Sequence, residues 1–156
     1  MKKKNLILTI CFLMLATYDT STAGGNTSGF GLGLMFGEPS GLSGKLWSGG
    51  NTAFDFGLAW STNKNSGMAA HADYLWHKMD MVNVDKGALP FYYGIGARYR
   101  GRDNSDDNFG VRVPFGLDYL FAQSAFDVFF EIVPVLDLAP DIDFDVNIAL
   151  GGRYFF

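Results

Sequence analysis

The chain has 156 residues, of which 48% are hydrophobic and 18% are charged, and its formal net charge is −4. This length fits a single domain, and the negative charge argues against nucleic acid as a partner because phosphates require a basic surface. The charged fraction lies below the roughly 25% of an ordinary soluble domain. With 16% aromatic residues and 20 glycines, the composition favours a membrane protein built from strands.

Residues 1–23 have the pattern of a secretory signal peptide. Lysines at positions 2–4 precede an apolar run at residues 5–15, and small residues at positions 21–23 form a cleavage site. The apolar run is too short for a transmembrane helix. We therefore predict a signal peptide over residues 1–23 and one exported domain over residues 24–156. The single cysteine, Cys11, lies in the signal peptide, so we expect no disulfide in the exported domain.

The first half of the exported domain contains four segments in which apolar and polar residues alternate. In segment 29–36, Phe and Leu alternate with Gly, and segment 41–48 follows a Gly-Glu-Pro-Ser turn. Segment 54–60 alternates aromatic and leucine residues with Asp, Gly and Ala. Segment 68–76 sets Tyr74 opposite His71. Each of these segments predicts a two-faced β-strand.

The second half contains four further segments of the same kind: 89–100, 109–119, 126–137 and 142–156. The alternation becomes less regular near Phe129 and Val133. A polar loop follows the first of these segments and is a candidate surface for binding a partner. Its charged residues include Arg102, Asp103, Asp106 and Asp107.

Segments of roughly eight to fifteen residues can cross a bilayer as tilted strands. After residue 23, no apolar stretch approaches the ~18 residues that a transmembrane helix requires. The eight segments therefore predict an all-β fold, namely an eight-stranded antiparallel up-and-down transmembrane β-barrel.

Alternation alone does not decide which face points inward, because a soluble lipocalin-like barrel places its apolar face inside. A polar face in contact with water should be rich in Lys and Glu. From Gly24 onward the chain has only four Lys and two Glu, and its polar positions are mainly Gly, Ala, Asp and Arg. Small residues and Asp–Arg pairs suit a narrow lumen. We therefore predict that the apolar face meets lipid and the polar face fills the lumen.

The inward-facing charges predict a paired network that plugs the lumen, since an unpaired charge in a narrow interior would be costly. An eight-stranded barrel is just wide enough for its own side chains, so we expect no porin-sized conductance. The predicted members of the network are Lys45, Asp55, His71, Asp73, Arg98, Arg100, Arg112, Asp118, Asp127, Glu131, Asp143, Asp145 and Arg153.

Aromatic residues recur near both ends of the predicted strands, as membrane interfaces favour. Trp60, Tyr99 and Phe109 would lie at the outer rim, and Trp76 and Tyr119 at the inner rim. The last strand must pair with the first, because an open edge in hydrocarbon leaves backbone groups unsatisfied. Its final aromatic residues resemble the C-terminal signal that the barrel-assembly machinery recognises. The predicted assembly signal consists of Tyr154 and Phe156.

Several longer stretches resemble a known family. They include GEPSGLSGKLW, FDFGLAWS, HADYLWHKMD, LPFYYGIGARYR, VPFGLDYLF and VPVLDLAP. The chain resembles small eight-stranded outer-membrane barrels of the OmpA/OmpX type and, more narrowly, a family of short bacterial outer-membrane proteins. The resemblance implies the barrel fold and a place in a Gram-negative-type outer membrane. Because some relatives are surface proteins that bind host factors, it also implies contacts with lipopolysaccharide or an extracellular protein.

No stretch of the sequence has the residue pattern of an established catalytic or metal site. A lipid deacylase would need a Ser beside a His and an acid, and no Ser lies at alternate positions on the strand of His71. We interpret His71 and Asp73 as a structural pair. The acidic stretch at residues 141–145 lacks the glycine turn and the terminal Glu of an EF-hand loop. We predict no cofactor and a non-enzymatic structural or surface-interaction role, with a lipid-modifying enzyme and a small pore as alternatives.

Overall fold

The computed structural model describes residues 27–60, 67–102 and 106–156, apart from the side chain of Arg102. The predicted signal peptide with Cys11 and the loop residue Asp103 therefore lie outside the described residues. The nine strands are β1 Phe30–Gly37, β2 Gly41–Gly49, β3 Thr52–Trp60, β4 Gly67–Lys78, β5 Phe91–Arg102, β6 Asn108–Arg112, β7 Phe115–Leu120, β8 Phe126–Ala139 and β9 Asp143–Phe155. These ranges contain no helix, and so none that is long and apolar enough to cross a membrane.

The nine strands form a ring with eight strand positions. Each strand from β1 to β4 pairs antiparallel with the next, β4 pairs with β5, and β9 pairs with both β8 and β1. The short strands β6 and β7 lie end to end in one position, between β5 and β8. Every strand is therefore paired on both sides, an arrangement compatible with a β-barrel.

The predicted strand 109–119 is wrong as a single element, because it is interrupted between Arg112 and Phe115. Proline has no backbone N–H and cannot donate to a sheet ladder, so Pro114 ends the regular pairing. Two backbone hydrogen bonds nevertheless cross the gap: Gly94 N–H donates to Pro114 O at 2.9 Å, and Val113 N–H donates to Pro134 O at 3.0 Å. The alternation keeps its phase across the interruption, so both short strands bury the same face.

The buried and exposed faces alternate with few exceptions along the strands. On β9, Val146, Ile148 and Leu150 are exposed, whereas Asn147 and Ala149 are buried. The irregular stretch of β8 follows the same rule, since Phe129 and Val133 are both buried on the inner face. The outer face carries most of the large apolar side chains, and the inside of the ring carries most of the charged ones.

Two apolar clusters lie inside the ring. We call the end at which β1 begins and β9 ends the terminal end, and the opposite end the far end. The terminal-end cluster consists of Trp47, Ala53, Leu120 and Phe155, against which Met79, Ala88 and Ala125 pack. A second cluster, nearer the far end, consists of Met35, Ala59 and Phe129, with Ala69 packed against it. The charged side chains lie between and beside these clusters.

Candidate functional site

A network of charged side chains fills the inside of the ring. Alternation places these residues on the inner face of their strands, and ring closure brings together residues that are far apart in the chain. The buried polar and charged side chains are Ser43, Lys45, Asp55, His71, Asp73, His77, Arg98, Arg112, Asp118, Asp127, Glu131, Asp137, Asn147 and Arg153. They form three groups.

The first group centres on Arg153 of β9. Its Nε lies 3.1 Å from both carboxylate oxygens of Asp127, and its Nη2 donates to the same carboxylate at 2.9 Å. Its Nη1 donates to Asp55 Oδ2 at 2.5 Å, and its Nη2 lies 3.6 Å from Asp118 Oδ2. The guanidinium also lies 4.1 Å from the ring centroid of Phe129, within the range of a cation–π contact. One arginine thus joins carboxylates of three other strands.

Lys45 of β2 completes this group and is fully buried. Its ammonium donates to Asp118 in a short ion pair and to Nε2 of His77 at 2.8 Å. It also lies 4.5 Å from the ring centroid of Trp47 and 5.5 Å from that of Tyr92. The lysine is therefore surrounded by groups that accept hydrogen bonds or attract a cation.

The second group lies on β3, β4, β5, β6 and β8. His71 Nε2 lies 3.6 Å from Asp55 Oδ1 and 4.0 Å from Asp73 Oδ2. Arg112 Nε lies 3.0 Å from Asp73 Oδ1, and Arg112 Nη2 donates to Glu131 Oε1 at 3.4 Å. The hydroxyl of Tyr92 donates to the other oxygen of the Glu131 carboxylate at 3.0 Å. Asp55 also accepts from Arg153, so the first two groups are continuous.

The third group lies at the far end and centres on Arg98 of β5. Its Nη2 donates to Asp137 Oδ2 at 2.8 Å, and its Nη1 donates to Asp145 Oδ2 at 3.2 Å. The amide of Asn147 bridges this pair when its nitrogen donates to Asp145 at 3.1 Å and its oxygen accepts from Arg98 at 3.2 Å. Arg100 Nη2 lies 3.8 Å from Asp145 Oδ2. Two arginines and two aspartates balance each other here.

Two glycines provide the room that the second group needs. Gly57 is the cross-strand partner of His71, and Gly96 is the cross-strand partner of Asp73. A Cβ atom on Gly57 would overlap the His71 imidazole, and one on Gly96 would overlap the Asp73 carboxylate. Glycines on the inner face of β3 and β5 thus leave the space in which the larger side chains of His71 and Asp73 on β4 lie over the adjacent strands.

Comparison with protein-family models, with curated proteins and with solved structures finds no match. The described strands form an all-strand antiparallel ring. The resemblance to OmpA/OmpX-type barrels remains a hypothesis.

Most of the residues predicted to form the lumen network lie inside the ring, but three lie nearer to solvent. Asp143 is exposed, and its carboxylate accepts a hydrogen bond from the N–H of Phe144 at 3.0 Å. The prediction for Asp143 is wrong because β9 begins at this residue, where few neighbours cover the inner face. The side chains of Arg100 and Asp145 are 30% and 38% exposed at the far end.

Besides Ser43, four polar residues inside the described part of the ring were not predicted. Asp137 follows Asp127 and Glu131 at even spacing on β8, and Asn147 follows Asp145 in the same way on β9, so alternation could have identified both. The other two are His77 and Tyr92. His77 was missed because β4 runs beyond the predicted end of its segment at residue 76, to Lys78. Tyr92 was missed because its polar hydroxyl belongs to an aromatic residue.

The predicted loop and assembly residues lie at opposite ends of the ring. Asp106 and Asp107 are exposed at the far end, where Asp107 accepts a hydrogen bond from the Tyr99 hydroxyl at 2.6 Å. The backbone of Arg102 ends β5 at the same end. At the terminal end, the exposed rings of Tyr154 and Phe156 lie 5.2 Å apart. The backbone N–H of Phe156 donates to Phe30 O at 2.9 Å and thereby extends the pairing of β9 with β1.

Proposed function

We propose that the protein is a transmembrane β-barrel of a bacterial outer membrane, exported by the signal peptide predicted at residues 1–23. The distribution of its side chains carries the proposal. Arg98, Arg112 and Arg153 are among the largest fully buried side chains, whereas leucine, isoleucine and phenylalanine cover the outside. A soluble monomer rarely exposes an apolar patch larger than a few hundred Å². In a bilayer this outer surface meets hydrocarbon, so its exposure is favourable.

The aromatic side chains of the terminal end support the same proposal. Phe54, Tyr74, Trp76 and Tyr93 form a series of ring contacts on the outer face, with neighbouring centroids 4.9–5.8 Å apart. Tyr119, Phe121 and Phe126 form a second series, and Tyr154 with Phe156 a third. The far end carries exposed Trp60, Tyr99 and Phe109. Aromatic bands of this kind are favoured at membrane–water interfaces.

Backbone pairing gives a third line of support. An open sheet edge within hydrocarbon would leave N–H and C=O groups without partners. Each of the nine strands is paired on both sides, and the hydrogen bonds around Pro114 continue the pairing where β6 and β7 are interrupted. The ring therefore suits a non-polar surrounding.

Within the membrane we propose a non-enzymatic structural or surface-interaction role. The interior charges are used in pairing with one another, and the exposed acidic residues of the far end, Asp106 and Asp107, offer a surface to lipopolysaccharide or an extracellular protein. The barrel-assembly machinery would be a further partner during insertion. A pore is disfavoured, because Trp47, Leu120 and Phe155 lie across the interior at the terminal end.

The geometry also disfavours the lipid-modifying enzyme. Ser43 is the cross-strand partner of Gly57, which is in turn the partner of His71, so a Ser and a His share one row of the ring. Asp55 Oδ1 lies 3.6 Å from His71 Nε2. However, Ser43 and His71 both face the inside and are buried. A lipid acyl chain would lie against the outer face, on the other side of the sheet.

Two exposed isoleucines provide a sharp test of the membrane proposal. Ile148 lies near the middle of β9 and is 51% exposed, whereas Ile142 lies in the turn before β9 and is 78% exposed. If Ile148 faces hydrocarbon, Ile148→Arg should lower the free energy of unfolding by about 2–4 kcal/mol, and Ile142→Arg by about 0–1 kcal/mol. Urea unfolding in lipid vesicles, followed by the faster gel migration of unheated protein, measures both values.

A water-exposed outer face predicts a different result for the two arginine variants. On a water-exposed surface both arginine substitutions should change stability by no more than about 0.5 kcal/mol. Equal, small effects for the two variants, together with recovery of the protein from the soluble periplasmic fraction without detergent, would refute the membrane proposal.

A further inference from the structure

We propose that Asp55, His71 and Asp73 bind one divalent transition-metal ion inside the ring, with Zn²⁺ the ion that fits their chemistry best. The three side chains are buried on β3 and β4, and each offers one donor atom within 4.8 Å of the others. This site depends on the ring of strands and not on where the protein is located. It is therefore independent of the membrane proposal.

The donor set and its spacing favour zinc. One imidazole nitrogen and two carboxylate oxygens suit Zn²⁺, whereas Ca²⁺ and Mg²⁺ prefer oxygen ligands alone. His71 Nε2 is 3.6 Å from Asp55 Oδ1 and 4.0 Å from Asp73 Oδ2. Tetrahedral bonds of 2.0–2.1 Å place zinc ligands about 3.3 Å apart. The three donor atoms lie within 4.8 Å of one another, so the side chains must move inward to coordinate the ion.

The two carboxylates are already oriented for this role. Arg153 Nη1 holds Asp55 Oδ2 at 2.5 Å, and Arg112 Nε lies 3.0 Å from Asp73 Oδ1. The remaining oxygens, Asp55 Oδ1 and Asp73 Oδ2, face His71. Carboxylates that ligate a metal are commonly held by outer hydrogen-bond partners. Arg153 holds Asp55 by such a hydrogen bond, and Arg112 holds Asp73 by an ion pair. The arginines thus act as positioning residues.

Asp73 gives an independent indication of a missing partner. Its side chain is 1% exposed, and neither carboxylate oxygen accepts a hydrogen bond from any described residue. The contact with Arg112 Nε is close, but it is not aligned as a hydrogen bond, and Arg112 Nε also lacks one. A buried carboxylate without hydrogen bonds is costly. A metal ion at Oδ2 would satisfy it.

The charge of the surrounding network points to a cation. The first two groups of the network together contain three cationic and five carboxylate side chains, which is an excess of two negative charges when every carboxylate is ionised and the histidines are neutral. These residues are Lys45, Arg112, Arg153, Asp55, Asp73, Asp118, Asp127 and Glu131. The far-end group, by contrast, is balanced. A divalent ion at the proposed site would cancel the excess in the part of the interior where it lies.

Metal binding by the purified protein tests this proposal. The chain is produced without a histidine tag, folded in detergent with a small excess of Zn²⁺ or Co²⁺, and dialysed before elemental analysis. We expect one metal ion per chain, visible absorption bands for the Co²⁺ form, and a higher urea midpoint for metal-loaded than for chelator-treated protein. His71→Asn should weaken binding at least about tenfold.

His77→Asn is the matched control, because His77 is also buried but contacts Lys45 instead of the two aspartates. It should retain one metal ion per chain. A cooperative urea transition verifies that each variant is folded. Absence of bound metal in the unmodified folded protein would overturn the proposal and show that protons compensate the excess charge. Equal binding by the unmodified protein and His71→Asn would overturn the assignment to this site.

Discussion

Arg153 contacts three carboxylates that belong to three different strands: Asp55 on β3, Asp118 on β7 and Asp127 on β8. Removing one partner of a buried ion pair leaves an uncompensated charge, which commonly costs 3–5 kcal/mol. We therefore expect Arg153→Met to lower the free energy of unfolding by about 3–5 kcal/mol in urea titrations of the detergent-folded protein.

Arg100→Met is the control for this prediction. Arg100 also lies on the inner face, but its side chain is 30% exposed at the far end and lies 3.8 Å from Asp145. Exposed ion pairs contribute about 0–1 kcal/mol. A loss for Arg153→Met no larger than that for Arg100→Met would contradict the central role assigned to Arg153.

Gly57 tests whether glycine is needed where the His71 imidazole crosses β3. Gly57→Ala would place a methyl group within the volume of that ring, so His71 or the backbone must move, and we expect a loss of about 1–3 kcal/mol. Gly44→Ala is the matched control on β2, because the nearest atoms to its added methyl lie 3.7 Å away, at ordinary contact distance. Denaturant midpoints compare the two variants, and equal losses would count against the steric argument.

The sequence alone predicts which side chains face inward much better than which of them meet. Parity along each strand places Lys45, Asp55 and Arg153 on the same face, because successive side chains of a strand alternate. The partners depend on ring closure, which brings Arg153 to Asp55 across 98 residues of chain. Three-way contacts of this kind follow from the curvature and relative height of the strands, and neither is encoded in a local pattern.

The last strand, β9, closes the ring and carries the predicted assembly signal. Phe156 is exposed at its end and contacts Tyr154. We expect Phe156→Asp to reduce the amount of folded, heat-modifiable protein in cell envelopes. The reason is that a charged side chain replaces the aromatic ring proposed for recognition by the assembly machinery.

Phe144→Asp is the matched control, since Phe144 is a similarly exposed phenylalanine at the opposite end of the same strand. Immunoblots of unheated and heated envelope fractions measure both variants. A comparable defect in the two variants would show that any charge on the outer face of β9 hinders assembly, and that the terminal position has no special role.

Alternation of polar and apolar residues identified all eight strand positions of the ring, whereas local backbone chemistry set where a strand begins, ends or is interrupted. Pro114 divides one predicted strand because it lacks an N–H, yet the backbone of Val113 still donates to Pro134 on β8. Pro114 is evident from the sequence. Whether it interrupts a strand depends on whether the neighbouring strand needs the N–H donor that proline lacks. The strand predicted over residues 89–100 begins two residues later in the structure, at Phe91, and extends to Arg102.

For the whole molecule, the packed interior predicts electrical behaviour. An ion that crossed the ring would have to pass both the terminal-end cluster around Trp47 and Phe155 and the charge network. Many of these side chains are fully buried. We expect no steady, porin-sized conductance when the purified protein is added to planar lipid bilayers, because the interior is occupied by its own side chains.

Arg98→Ala and Arg112→Ala extend the bilayer measurement. If the interior is packed, these variants should show at most brief, small openings. A large channel in the unmodified protein would refute the packed interior. A reproducible small channel that widens when either arginine is replaced would instead indicate a gate formed by the network.

The position of Arg153 on β9 also bears on the order of events during folding. β1 and β8 both lack a neighbour until β9 pairs with them, and Asp55, Asp118 and Asp127 lack their common guanidinium until then. A partly folded chain in which β9 is unpaired thus holds carboxylates that repel one another and two unpaired edges. Contacts between distant parts of a chain form slowly. Pairing of β9 therefore closes the ring and joins the three carboxylates in a single event, and chains that lack β9 should stay unfolded and available to proteases.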